Sequence, residues 1–183
     1  SKDIPVYVMP KMYSFLDNNA PWSQLVNLKN IQLNALQNNK YVEPLKNLRI
    51  TPILVPHRDE FSETVGYKIK GPNKTILFIP DIDKWTLWEE NLITLLKEVD
   101  IAFIDATFFS QEEVNYRPLS EIPHPLVIET IAYLKNEAIS LKNKVYFIHM
   151  NHTNPMLDEN SKVSNLIFKE GFNIARLGYQ FEL

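Results

Sequence analysis

A layered α/β (α+β) domain is what this sequence predicts, and three observations carry the prediction. Short apolar runs alternate with stretches of helical period through the second half of the chain. Two earlier runs are joined by a tight turn. The composition is that of a folded chain, with 45% hydrophobic and 22% charged residues among 183. Such a balance argues against disorder, and the length allows a buried core in one domain or in part of a larger one.

Pro5 to Met9 reads as a short strand. Pro10 then suits the first turn of a helix, and Lys11 to Leu16 has helical character. From Trp22 to Leu45 no clear period emerges, and Asn38-Asn39 marks a break. Leu48 to Val55 is a strand closed by Pro56. Val65, Tyr67 and Ile69 alternate with Lys68 and Lys70, the period of a half-buried strand. Gly71-Pro72-Asn73 supplies a turn into the apolar run Ile76 to Ile79, which predicts a hairpin.

Trp88, Leu92, Leu95 and Val99 recur at helical spacing, and Thr86 with Glu89 has the spacing of a capping box before that face. Ile101 to Ile104 is a buried strand. Val127, Ile131, Leu134, Ala138 and Leu141 mark a second amphipathic helix, and Val145 to Ile148 a further strand. Pro155 opens a turn, and Val163, Leu166 and Ile167 lie on a last helix that Gly171 stops. Ala175 to Leu183 suggests a closing strand pair. Strands with short apolar cores and helices between them define a layered domain.

Composition also excludes classes of function. The formal net charge is −3 and the densest basic run, Lys142 to Lys144, is short. Long nucleic acid is therefore not an expected partner, because such binding rests on phosphate neutralisation. With no cysteine, disulfides and thiolate metal sites are excluded within this chain. No apolar run approaches the ~20 residues of a membrane span, and no signal-peptide pattern follows Ser1. A cytoplasmic location away from the membrane is the expectation.

Chemistry concentrates at the strand ends. The run ending at Val55 is followed by Pro56-His57, that ending at Ile79 by Pro80-Asp81, that ending at Ile104 by Asp105, and that ending at Ile148 by His149. Ligand sites in helix-covered sheets gather beyond strand ends. Two His and two Asp at one edge would suit Zn, Fe or Mn better than Mg or Ca. Each residue also has a plain structural alternative. An Asp after a strand forms turns or caps helices, and a lone His is commonly a hydrogen-bonded structural residue.

The blocks around these residues resemble a known family. Val55-Pro56-His57-Arg58-Asp59-Glu60-Phe61-Ser62-Glu63-Thr64-Val65-Gly66-Tyr67 resembles the third metal motif of the metallo-β-lactamase superfamily. Phe78-Ile79-Pro80-Asp81 is similar to its fourth motif and Phe147-Ile148-His149-Met150-Asn151-His152-Thr153-Asn154-Pro155 to its fifth. Within the superfamily these blocks, with Asn19-Ala20-Pro21-Trp22-Ser23-Gln24-Leu25, resemble the pyrroloquinoline quinone biosynthesis protein B (PqqB) group. The resemblance covers essentially the whole chain. It implies the C-terminal half of an αββα sandwich, because the superfamily's H-x-H-x-D-H motif is absent from residues 1–183. That N-terminal half is expected to be missing rather than lost in evolution.

By the same resemblance, His57 and His149 are terminal metal ligands and Asp81 bridges two ions. The cofactor is a divalent metal, Zn or Fe. His152 is at best a pocket or supporting residue. Asp105-Ala106-Thr107-Phe108 is similar to the acidic loop of the tRNA 3′-processing branch, and His124 falls where that branch carries an auxiliary histidine. The implied catalytic pair is Asp105, which sets geometry, and His124, which delivers a proton. His124 can equally be a helix-start residue between Pro123 and Pro125.

The parent protein is then expected to be a metal-dependent enzyme of quinone-cofactor biosynthesis, acting by hydrolysis or oxidation on a small molecule or short peptide. A phosphodiesterase or nuclease of the same fold is the second reading. The third is a catalytically incomplete, inactive fragment with little tightly bound metal. Its exposed half-sandwich surface would pair with a second copy, as a homodimer, or with a missing half.

Overall fold

The computed structural model describes residues 2–114, 118 and 121–183. The chain begins with a small parallel pair, β1 (Ile4–Val8) and β2 (Ile31–Ala35), linked through α1 (Pro10–Asn18) and α2 (Trp22–Asn27). Helix α2 and strand β2 account for much of the stretch without a clear period. A six-residue helix and a five-residue strand are too short for any period to show.

A seven-stranded sheet follows, ordered β3-β4-β5-β6-β7-β8-β9. Its strands are β3 (Val42–Leu45), β4 (Leu48–Leu54), β5 (Val65–Lys70), β6 (Thr75–Ile79), β7 (Ile101–Asp105), β8 (Val145–Ile148) and β9 (Asn173–Ile174). Pairing is antiparallel from β3 to β6 and parallel from β6 to β9. Strands β4, β6, β7 and β8 therefore all run the same way, and their carboxyl ends lie along one edge. That topology turns four separate sequence positions into neighbours.

One face of this sheet carries Leu77, Ile79, Ala102, Ile104, Val145 and Phe147, all buried. They pack against α3 (Leu92–Glu98), α4 (Val127–Tyr133) and α6 (Lys162–Lys169) through Leu92, Leu95, Leu96, Val127 and Ile167. Each such aliphatic side chain contributes about 1.5–3 kcal/mol on full burial. Polar atoms within this layer are satisfied. Trp85 Nε1 donates to Thr130 Oγ1 at 2.8 Å and Trp88 Nε1 to the Leu54 carbonyl at 2.7 Å. Lys144 Nζ donates to the carbonyls of Leu96 and Val99 at 3.0 and 2.6 Å, which serves the exposed acceptors at the end of α3.

The opposite face carries Ile50, Tyr67, Ile69 and Phe78, which with Tyr7, Leu36, Val42 and Pro44 line a cavity of about 410 Å³. Further along the same face Phe103 and Tyr146 are covered by Phe181, with ring centroids 5.4 and 5.2 Å away.

Three local expectations are corrected. Thr86 and Glu89 form no capping box: Trp85–Leu87 is a 3₁₀ turn, and α3 starts only after Asn91, whose side chain accepts from Thr94 N at 3.0 Å. Asn91 is the stronger cap because its oxygen reaches the third helical amide directly. The single helix from Val127 to Leu141 is two, α4 and α5 (Ile139–Lys142), separated by extended backbone at Ala138. The apolar spacing persists across the break because both pieces cover the same sheet. Ala175 to Leu183 forms no strand pair. Positive φ at Gly178 and the turn from Arg176 to Tyr179 break the extended run, and Phe181 packs on the sheet face. Gly171, at φ +89°, ends α6 as expected.

Candidate metal centre

The site forms where the carboxyl ends of β4, β6, β7 and β8 meet. His57 follows β4 on a loop fixed at two points: Thr64 Oγ1 donates to the His57 carbonyl at 2.8 Å, and Asp83 N to the Pro56 carbonyl at 2.7 Å. Glu63 on the same loop accepts from Lys11 N at 3.0 Å with each carboxylate oxygen, at the start of α1. A carboxylate suits that position because the first amides of a helix lack intrahelical partners.

His57 Nε2 lies 3.2 Å from Asp81 Oδ2, and His124 Nδ1 lies 3.2 Å from Asp81 Oδ1. Neither contact has hydrogen-bond geometry, and Asp81 Oδ1 is buried without a hydrogen-bond partner. His57, Asp81 and His124 offer ligand atoms within 4.8 Å of one another; so do Asp81, Asp105 and His149. Asp81 belongs to both sets.

Asp105 is fully buried and fully engaged. Its Oδ1 accepts from Thr107 N and Thr107 Oγ1, each at 2.7 Å. Its Oδ2 accepts from Ile82 N at 3.2 Å and pairs with His124 Nδ1 at 2.8 Å. Four donors converge on one carboxylate, which leaves it little capacity to ligate a cation. Burial of the His124 ring opposes its protonation, but the hydrogen bond and charge of Asp105, with Asp81 and Asp83 adding theirs, outweigh that and hold His124 above the ordinary histidine range.

The histidines share a pattern. His57 Nδ1 pairs with Asp83 Oδ1 at 2.9 Å, His124 Nδ1 with Asp105 Oδ2, and His149 Nδ1 with Thr107 Oγ1 at 3.1 Å. Carboxylates only accept, and the Thr107 hydroxyl already gives its hydrogen to Asp105. Nδ1 is therefore the donor in all three rings, and Nε2 is the nitrogen left free to act as a ligand or carry a further proton. His149 achieves its position with φ +63°, a left-handed conformation that a non-glycine residue adopts at a cost of ~1–2 kcal/mol.

All five residues expected from the sequence at this edge, His57, Asp81, Asp105, His124 and His149, are brought together. His152 is not: it is exposed and pairs with Asn151 Oδ1 at 3.1 Å. Two residues escaped sequence reasoning. Asp83 and Thr107 each lie two positions beyond a strand-end carboxylate, and that spacing was the available signal. Arg58, Phe108, Ile122 and Pro123 line a cavity of about 180 Å³ that His57, Thr107 and His124 also border.

The chemistry of this donor set fits a cation. The buried Asp81 Oδ1 without a partner, and His57 Nε2 beside the other oxygen of the same carboxylate, are what such an ion would satisfy.

A half-covered sheet with His and Asp side chains along the carboxyl edge defines a metallohydrolase-type fold. Residues 1–150 match the beta-lactamase superfamily domain, and the chain belongs to that family. Within that superfamily it is similar to PqqB proteins. Coenzyme PQQ synthesis protein B of Nitrosococcus oceani is 24% identical over 151 residues, covering 73% of this chain and 48% of that protein. The protein of the same description from Acinetobacter baumannii is 26% identical over 164 residues, covering 83% of this chain and 52% of that one. The chain thus spans about half the length of the curated relatives it matches. The crystal structure of zinc-bound PqqB from Methylobacterium extorquens superposes with a TM-score of 0.79 at 20% identity, over 99% of this chain and 65% of that one. A diphosphatase of the PhnP family superposes at 0.54 and 17% identity, over 93% of this chain and 54% of that one. These two likenesses concern the fold.

Among the described residues no helix is long and apolar enough to cross a membrane.

Proposed function

We propose that this chain is the C-terminal part of a metal-dependent enzyme of the PqqB-like group, which acts in quinone-cofactor biosynthesis on a small molecule or short peptide. The observation that carries this reading is the Asp81 carboxylate, with one buried oxygen unpaired and histidines on two sides. His57 and His149, each with the shared Asp81, would hold divalent metal, Zn or Fe, both of which accept nitrogen and carboxylate ligands. The chemistry supplied by the ion when bound is Lewis-acid polarisation, with one-electron capacity added where it is iron. Asp105 holds His124 through Nδ1 at 2.8 Å, so the Nε2 edge is the one available to pass a proton to a leaving or reacting atom. The adjoining cavity of about 180 Å³ suits a small group better than a polymer.

The open sheet face around Tyr67, Ile69 and Phe78 would receive the remaining sheet layer of the longer protein, or a second copy in its absence. Support comes from the coverage, since the chain matches 65% of the zinc-bound PqqB structure, and from the half-buried state of Tyr67, Ile69 and Phe78.

The test is a zinc titration of the chain in competition with a chromophoric chelator. His57→Ala and His149→Ala are each expected to weaken binding by tenfold or more, about 1.4 kcal/mol. Unchanged zinc affinity in both variants would show that the site is placed wrongly.

A further inference from the structure

We infer that Asp83 is the positioning residue for His57, fixing its ring so that Nε2 rather than Nδ1 faces the cation position beside Asp81. The inference rests on the proposed metal reading of His57 and extends it to a residue outside the ligand set. His57 is flanked by two carboxylates of one loop, and the two contacts differ in kind. At Nδ1, Asp83 Oδ1 stands at 2.9 Å with hydrogen-bond geometry. At Nε2, Asp81 Oδ2 stands at 3.2 Å without it. The first is a bond that fixes a tautomer. The second is two electron-rich atoms placed side by side, an arrangement that a shared cation would stabilise.

The Asp83 contact is built from both ends. The backbone amide of Asp83 donates to the Pro56 carbonyl at 2.7 Å, so the residue before His57 is tied to the residue that orients it. The neighbouring cation Lys84 is drawn away to Glu129 at 2.7 Å. Asp83 itself is only 23% exposed and His57 13%, which limits competition from water. Without Asp83 either ring nitrogen could turn toward the ion, and the ring would lose its fixed orientation. Partners of this kind tune ligand histidines and commonly change metal affinity by ~10–100-fold.

The test uses the chain labelled with ¹⁵N at histidine, free and zinc-loaded, with long-range ¹H–¹⁵N spectra to assign the protonated nitrogen. The expected result is a His57 ring protonated at Nδ1 in both states and bonded to zinc through Nε2. Asp83→Ala should weaken zinc binding by ~10–100-fold and abolish the single-tautomer signature. Asp83→Asn retains an acceptor oxygen and should recover most of both, which also separates orientation from a failure to fold. Zinc on His57 Nδ1, or an Asp83→Ala variant with unchanged affinity and tautomer, overturns the inference. Zinc binding indifferent to His57→Ala overturns the metal reading instead, and the metal-free tautomer spectrum then decides the role of Asp83 by itself.

Discussion

The carboxyl ends of β6 and β7 each bring a carboxylate to the same sheet edge, but the two sit in opposite circumstances. Asp105 is buried and accepts from two backbone amides, a hydroxyl and an imidazole. Asp81 is a third exposed, at 32%, and keeps one buried oxygen unpaired between histidines. A satisfied carboxylate is scaffold, since its lone pairs are spent holding loops together. An unsatisfied one is available, and native structures keep few such atoms without a purpose. Sequence resemblance assigns these residues a pair of roles; hydrogen-bond accounting supplies a physical reason for the difference.

The comparison can be broken most directly at Asp105. Asp105→Ala removes the node that joins Ile82, Thr107 and His124 and leaves their donors buried. Urea denaturation of the metal-free chain should record a loss of ~3–5 kcal/mol, and a loss under ~1 kcal/mol would contradict the scaffold role.

A smaller effect is expected at His149, where the backbone is left-handed. His149→Gly and His149→Ala both remove the ring and its contact with Thr107. Only the alanine keeps a Cβ in the unfavourable conformation. The glycine variant should be the more stable of the two by about 1 kcal/mol, with both impaired in zinc binding. Equal stabilities would mean that the strain is not carried at this residue.

The smallest effect on stability belongs to Asp81. Asp81→Asn should leave the metal-free chain within about 1 kcal/mol of the parent, because no hydrogen bond of the unpaired oxygen is lost. The same variant should reduce zinc affinity more than any other single change at the edge. A large unfolding effect with unchanged zinc binding would reverse the contrast with Asp105.

Much of this protein was legible from residue order. The strands that deliver His57, Asp81, Asp105 and His149 were readable because short, largely apolar runs closed by Pro, Asp or His have a local cause. The start of α1 at Pro10 and the stop of α6 at Gly171 were readable for the same reason, since both depend on the φ preference of one residue. The division of Val127 to Leu141 into two helices was not, because apolar spacing reports which face is buried and says nothing of a break that preserves that face. The tail misled in the same way. Of the alternating aromatics, Phe181 packs on Phe103 and Tyr146 and Tyr179 against Phe181, with no pairing to a neighbour strand.

By itself, then, the sequence determined the layered class, the strands that reach the site edge and the four polar residues at their ends, His57, Asp81, Asp105 and His149. Those follow from periodicity and from the chemistry of single side chains. Only the tertiary structure set His124 beside Asp105 and decided how the five divide the work. Which carboxylate is satisfied, which ring nitrogen is held by Asp83, Asp105 or Thr107, and which residue bears backbone strain all depend on residues 19 to 42 positions apart meeting at one edge. Hydrogen bonds act over about 3 Å, and no local pattern in the chain encodes a distance of that kind.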